Sequence, residues 1–337
     1  MESSYVLLIV GLALSFFMAW NLGANDAATP CDTAVGAGVI SPKRAVLLFS
    51  VFAAVGAISQ GYINIKTISR GIVPRIDPVG AITISLAACL WSALCTWRGL
   101  EISNTYTVVG SVIGYALVVY QSFETTVLIR ILASWVVSPL SSIALSYILY
   151  KIMRRIFRNF LADQRFIRVI SIALIVSLCF SAYSFGVNDV GNATGVYVAV
   201  TQDIVGLPDY TTMVLLAAFG AFGIAVGGLT WGRKVIETVA FKIVRIDALS
   251  GLAAEVTNAL VVYLFVTIPY VYLGYGLPVS TSIIGVGAII GSAFARGRGM
   301  VDKTTIGRLV ITWVLTLPAT ILLSAGLYIS LSPFISF

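Results

Sequence analysis

The sequence contains no histidine, and its 337 residues include only 21 lysines and arginines and 14 aspartates and glutamates. Without an imidazole, zinc or haem ligation and histidine base catalysis fall away as readings. The four cysteines (Cys31, Cys89, Cys95 and Cys179) are scattered through apolar segments with no metal-type spacing, and read as small packing residues. There is no P-loop, no dinucleotide fingerprint and no nucleophile elbow, so neither an enzyme nor a cofactor is expected. Any transport must therefore run on an ion gradient or on a separate subunit. Charge is scarce as well, at 10% of residues against roughly a quarter in soluble domains.

Apolar residues take the place of what is missing. They make up 59% of the chain, and the mean hydropathy is +0.99, which points to an all-α, polytopic membrane protein. Runs close to the ~20 residues needed to cross a bilayer predict spans at 5–21, 45–63, 79–97, 126–153, 169–186, 211–229, 252–272 and 306–331. Shorter apolar pieces at 26–40, 105–120, 189–200 and 282–295 are too brief or too glycine-rich to span. They predict broken or re-entrant helices, which survive only where protein or a wet cavity covers their backbone.

The net charge of +7 lies between the spans, densest at Lys151, Arg154, Arg155, Arg158, Arg165 and Arg168. A short loop this basic marks the cytoplasmic side and does not suggest nucleic acid. The first apolar run has Glu2 in front, no basic leader and no small-residue cleavage site, and reads as a retained helix. The basic, amphipathic stretch 231–244 is expected to lie at the cytoplasmic interface.

One half of the chain echoes the other. "GANDAATPCDTAVG" at 23–36 returns as "GVNDVGNATGVYV" at 186–198, and "KTISRGI" at 66–72 as "ETVAFKI" at 237–243. "SNTYTVVGSVIG" at 103–114 returns as "STSIIGVGAIIG" at 280–291, and "RILASWVVSP" at 130–139 as "RLVITWVLTLP" at 308–318. The offset grows slowly, from about 163 to about 178 residues, and the order is kept. Four echoes in register predict a duplication: a first transmembrane repeat at 1–150, a basic cytoplasmic linker at 151–168 and a second repeat at 169–337. Parallel and inverted arrangements both fit, and either one puts binding sites where the interrupted segments meet.

Asn25-Asp26 and Asn188-Asp189 occupy matching positions in the repeat. A carboxylate at membrane depth costs roughly 2.5–3.5 kcal/mol on insertion scales, so a cation, a proton or hydrogen bonds must compensate it. Asp and Asn oxygens are hard ligands suited to Na⁺, and Asp alone can take a proton. The alternative is helix capping, since each pair sits where a broken helix is expected to restart. Ser103, Asn104 and Thr105, and likewise Ser280, Thr281 and Ser282, precede short glycine-rich helices. Two such N-termini facing each other could cradle one tetrahedral oxyanion, the alternative being capping or helix packing. Glu255, inside an apolar span, could bind a cation with Thr257 and Asn258 or sit near a helix end. Lys66 and Glu237 hold equivalent positions and could mark a pathway rim. Asp32 has no echo, since the aligned residue is Gly195.

These motifs resemble the inorganic phosphate transporter (PiT) family, whose hallmark is a duplicated "GANDVANA" element, here "GANDAATP" at 23–30 and "GVNDVGNA" at 186–193. The family's "PVSTTH" element looks like "PVSTSIIGVGAIIG" at 278–291, with Tyr106 and Ile283 at its usual histidine positions. The resemblance implies two inverted repeats and import of inorganic phosphate by symport with Na⁺ or H⁺. It also implies ion and anion contacts at Asn25, Asp26, Asn188, Asp189 and Asn192, with Ser103, Thr105, Ser280, Thr281 and Ser282 on the anion. Lys66 stands where many members of the family have an acidic residue, and the stretch "KTISRGIVP" and the short chain are similar to PiT-type sulfate permeases, which makes sulfate the second substrate reading. An ion channel or a non-transporting scaffold is the reading from another class. A channel needs polar stripes along whole spans, and a scaffold gives no reason for duplicated intramembrane Asp. The expected partners are the oxyanion and the lipid of the cell (plasma) membrane, with a homodimer left open.

Overall fold

The computed structural model describes residues 2–98, 102–120, 124–198, 209–233, 235–236, 246–297 and 303–334. Its helices are α1 (Glu2–Asp26), α2 (Ala28–Gly36), α3 (Pro42–Gln60), α4 (Tyr62–Arg70), α5 (Pro78–Trp97) and α6 (Asn104–Val119). They continue with α7 (Thr125–Phe157), α8 (Gln164–Thr194), α9 (Tyr210–Gly227), α10 (Ala248–Leu273), α11 (Thr281–Arg296) and α12 (Lys303–Leu331). No strand occurs among the described residues. Among the described residues, eight helical segments are long and apolar enough to cross a membrane, and each overlaps one predicted span. The protein is a multi-pass, all-α membrane protein.

Aspartates start several of the long helices. Asp77, Asp163, Asp209 and Asp247 accept from the backbone amides of Gly80, Arg165, Thr212 and Ser250 at 2.7–2.9 Å. Each satisfies an amide that the first helical turn leaves open. At exposed Asp209 these Thr212 bonds hold the carboxyl below its ordinary range.

The two short apolar helices are α6 and α11. Their N-termini meet inside the molecule and their tails diverge. The tail of α6 lies beside the end of α12, where Tyr115 and Tyr328 both donate to Asp77 Oδ2, at 2.7 and 3.2 Å. The tail of α11 lies at the start of α10, where Arg296 pairs with Asp247 at 3.2 Å. Because α12 begins just after α11 and ends beside α6, its length separates the two tails.

Two features differ from the sequence pattern. The run at 45–63 is divided at Gly61, and α4 leaves as a separate short helix. The piece at 26–40 is a separate helix, α2, after a break at Ala27, but its counterpart at 189–200 is not. Instead α8 runs unbroken through Asn188 and Asp189 to Thr194, followed by a 3₁₀ turn at Gly195–Tyr197. The glycines there serve close packing: a Cβ on Gly191 would lie 2.8 Å from the Asn64 carbonyl carbon, and one on Gly195 would lie 2.8 Å from Ile68 Cβ. Glu237, and most of the stretch 231–244, lie outside the described residues.

The halves pack helix for helix into each other. In the membrane, with little hydrophobic drive between helices, small residues permit the close contact that binds them. A Cβ on Gly23 of α1 would fall 1.9 Å from the Ile224 carbonyl oxygen of α9, and one on Gly227 would fall 1.9 Å from that of Trp20. The α8–α3 crossing repeats this geometry, with Gly186 at 1.9 Å from the Ala53 oxygen and Gly56 at 2.0 Å from that of Tyr183. In all four cases the carbonyl belongs to the residue three before the partner glycine. The short helices match in the same way: Gly114 backs onto Ile321 of α12 and Gly291 onto Ile143 of α7, each at 2.2 Å.

Candidate functional site

The tips of α6 and α11 are held against each other by their own hydroxyls. Thr105 Oγ1 donates to the Val279 carbonyl at 3.0 Å, and Ser282 Oγ to the Ile102 carbonyl at 3.4 Å. Ser103 and Ser280 cap the two helices, accepting from the amides of Tyr106 (3.3 Å) and Ile283 (3.4 Å). The remaining first-turn amides and the positive ends of both helix dipoles thus converge on one buried region, an arrangement that favours an anion. One wall is aromatic. Tyr106 stacks on Trp135 with centroids 3.8 Å apart, and Trp135 Nε1 holds the Pro278 carbonyl at 2.9 Å.

The carboxylates lie against these tips. Asp26 Oδ2 accepts from Asn104 Nδ2 at 2.9 Å, and Asn104 Oδ1 accepts from Ser92 Oγ at 2.5 Å. Asp189 accepts from Asn188 Nδ2 at 2.9 Å and from Asn192 Nδ2 at 3.0 Å, and the Thr281 side chain also reaches it. Asn192 Nδ2 bridges further to Thr105 Oγ1 at 3.1 Å, so α8 touches both tips. Asn188 braces the chain entering α11: its Nδ2 donates to the Val279 carbonyl at 2.8 Å, and its Oδ1 accepts from the Val279 amide at 3.1 Å. Both aspartates are 1% exposed.

Neither Asn-Asp pair caps a helix. Asp189 lies inside α8, five residues before its end, and α2 starts at Ala28 after Ala27, with no side-chain cap bond. Asp26 closes α1 at its C-terminus, the end where a negative charge is disfavoured. Compensation must therefore come from side-chain donors or from a bound cation.

Asn25 turns toward α5, giving Nδ2 to Thr96 Oγ1 at 3.0 Å. The oxygens Asn25 Oδ1, Thr29 Oγ1, Asn64 Oδ1 and Asn192 Oδ1 are buried and accept no hydrogen bond. Together with a carboxylate, neutral oxygens of this kind form the donor set an alkali cation requires. Among the described residues no group of three or more His, Cys, Asp or Glu converges.

Glu255 belongs to a second polar cluster. Its Oε2 accepts from Thr33 Oγ1 of α2, and Asn258 Nδ2 donates to Ser181 Oγ at 2.9 Å. Thr257 does not join it, because its hydroxyl turns back to the Ala253 carbonyl of its own helix at 2.7 Å. Lys66 is exposed and donates to the Gly274 carbonyl at 3.2 Å, at the far end of α10. Asn64, Ser92, Thr33 and Ser181 are members of these networks that sequence reasoning missed. Of the four, Asn64 had a signal: an amide between two isoleucines, donating to the Asn188 carbonyl and to Asn188 Oδ1, each at 3.0 Å.

Eight apolar spans enclosing two short helices, tip to tip beside buried carboxylates, define a membrane transport protein. The model of the phosphate transporter family matches residues 22–324, and the chain belongs to that family, whose members are transporters and not enzymes. A protein of Thermococcus kodakarensis that carries a phosphate-permease name is 29% identical over 401 aligned positions, covering 95% of this chain and 97% of its own. Inorganic phosphate transporter 2-1, chloroplastic, of Arabidopsis thaliana is 26% identical, covering 94% of this chain and 70% of its own. A solved structure titled "The sodium-dependent phosphate transporter" superposes with a TM-score of 0.83 at 26% identity, covering 98% of this chain and all of that one.

Proposed function

We propose that this chain imports inorganic phosphate across the cell membrane by symport with Na⁺. The anion would lie between the N-termini of α6 and α11, touched by Thr105, Thr281, Ser282 and the first-turn amides. Asn104 and Asn192 would tie that pocket to Asp26 and Asp189, whose carboxylates, with the open oxygens of Asn25 and Asn192, would receive the cation. The observation that carries this reading is the meeting of two capped helix tips, each with a buried aspartate against it. Cation and anion charges would then neutralise each other inside the membrane, which lowers the cost of carrying either.

Na⁺ is favoured over H⁺ by the neutral amide oxygens beside the carboxylates and by the sodium-dependent designation of the superposed structure. Glu255 would serve a further cation step on the path between the tips and the face that carries the start of α10. The halves are read as inverted repeats, because α6 and α11 leave the same point for opposite faces and the matched glycine contacts pair the halves reciprocally. Lys66, the first residue of the stretch that is similar to sulfate permeases, bonds at the end of α10 and gives no reason to prefer sulfate at the tips.

The test is uptake of radiolabelled phosphate into proteoliposomes under separately imposed Na⁺ and H⁺ gradients, with unlabelled sulfate as competitor. Na⁺-driven accumulation resistant to sulfate is the expected result. Uptake driven by H⁺ alone would remove the cation assignment, and competition by equimolar sulfate would remove the anion assignment.

A further inference from the structure

A second basic cavity lies on the face that carries the α7–α8 turn, well apart from the helix tips. It encloses about 940 Å³ between the end of α2, the end of α7, the start of α8, the start of α10 and the end of α11. Its polar lining includes Arg154, Arg296, Tyr150 and Asp247, and its apolar walls include Leu161 and Ile167. Ala248, on its lining, is two helical turns before Glu255 on the same face of α10, a rise of about 10 Å. Ala37, also on the lining, is one turn beyond Thr33 on α2. The Thr33–Glu255 contact therefore lies beneath the cavity floor and separates it from the α6–α11 site.

Both arginines line this cavity, Arg154 exposed at the end of α7 and Arg296 largely buried at the end of α11. Asp247 uses Oδ1 on the Ser250 amide, and its Oδ2 pairs with Arg296 at 3.2 Å. Arg296 also donates to Ser250 Oγ at 3.3 Å, and only 17% of its side chain is exposed. Its guanidinium is thus pinned over the cavity and not free to swing into water. Arg154 approaches from α7, within hydrogen-bonding reach of buried Tyr150. Guanidinium forks match phosphoryl oxygens in shape as well as charge. Arg155, Arg158, Arg165 and Arg168 crowd the adjoining turn and raise the local positive potential.

We propose that this cavity binds a phosphoryl oxyanion between Arg154 and Arg296, at a site separate from the one between α6 and α11. Two sources offer that chemistry, free inorganic phosphate and the headgroup of an anionic phospholipid whose chains would follow the apolar walls. The proposal stands whatever the helix tips transport.

The test compares wild type with R154Q and R154Q/R296Q in two measurements. Purified protein without Na⁺ is titrated with inorganic phosphate by equilibrium dialysis. Separately, phosphatidylglycerol retained after extraction from mixed phosphatidylglycerol–phosphatidylcholine bilayers is counted by native mass spectrometry. A free-ion site predicts phosphate binding about tenfold weaker in R154Q and lost in the double variant. A lipid site predicts one fewer retained phosphatidylglycerol in both variants, with phosphate binding unchanged. R154Q leaves the Arg296–Asp247 pair in place, so it decides the matter should the double variant fail to fold. Wild-type values for both measurements in folded R154Q would overturn the proposal.

Discussion

The two Asn-Asp pairs share a sequence but differ in their surroundings. In the second half, Asn188 and Asn192 come from the same helix as Asp189, and Asn188 also fixes the backbone leading into α11. Most of that carboxylate's donors are therefore in place as soon as α8 has formed. In the first half, a donor to Asp26 comes from another helix, through Asn104 at the start of α6, and Asn25 faces away to Thr96. This bond to Asp26 thus forms only when α6 docks. The matching positions are kept in sequence while their surroundings differ, one carboxylate bonded within its own helix and the other reached from α6.

The largest expected effect tests the carboxylate bonded within its own helix. Asp189→Asn keeps the shape but removes the charge, and should lower Na⁺-driven phosphate uptake by about a hundredfold, or about 2.7 kcal/mol, with normal membrane insertion. Wild-type uptake would leave Asp189 a purely structural residue. Asn104→Ala should come next, because it strips a donor from Asp26 and orphans Ser92. The concentration of Na⁺ giving half-maximal uptake should rise about tenfold, with a smaller rise for Thr281→Ala, since Asp189 keeps two other donors. Equal shifts in these two variants would erase the contrast between the two carboxylates.

Gly23→Ala and Gly186→Ala probe what the halves have in common. Each pushes a methyl into a carbonyl oxygen, and each should destabilise the protein by about 1–3 kcal/mol, read as a similar loss of melting temperature in detergent. Tolerance of one but not the other would break the matched-crossing description. The smallest effects are expected away from both carboxylates. Thr257→Val should change stability and Na⁺ dependence little, within about 0.5 kcal/mol, and Lys66→Ala should leave the preference for phosphate over sulfate unchanged.

Much of the architecture was legible because bilayer-length apolar runs are a strong signal. All eight spans, the two short helices and the break after Asp26 follow from length and glycine content. The expected break near Asp189 fails for a physical reason: glycine serves equally to end a helix and to admit a neighbouring backbone, and at Gly191 and Gly195 it admits α4. The members of the site that repeat in sequence were visible through that repetition. Ser92 and Thr33 were not, because nothing local sets them apart from the other hydroxyl residues of their helices, and Asn64, though marked by its isoleucine neighbours, gave no sign of its partner. Their partners also lie outside any local window: Asn64 meets Asn188, 124 positions away, and Thr33 meets Glu255, 222 positions away.

At the crossings of α1 with α9 and of α3 with α8, bare backbone occupies the place where side chains of two helices would ordinarily interlock. Ridges seated in grooves act as detents that hold a pair of helices at set positions. A stripe of glycine and carbonyl oxygen has no such teeth. Such crossings would serve as smooth bearings for small shear steps of one half against the other, with few rotamers to reset. In the proposed transport cycle, the four glycines would bear on how fast the molecule turns over, and the helix tips on what it carries.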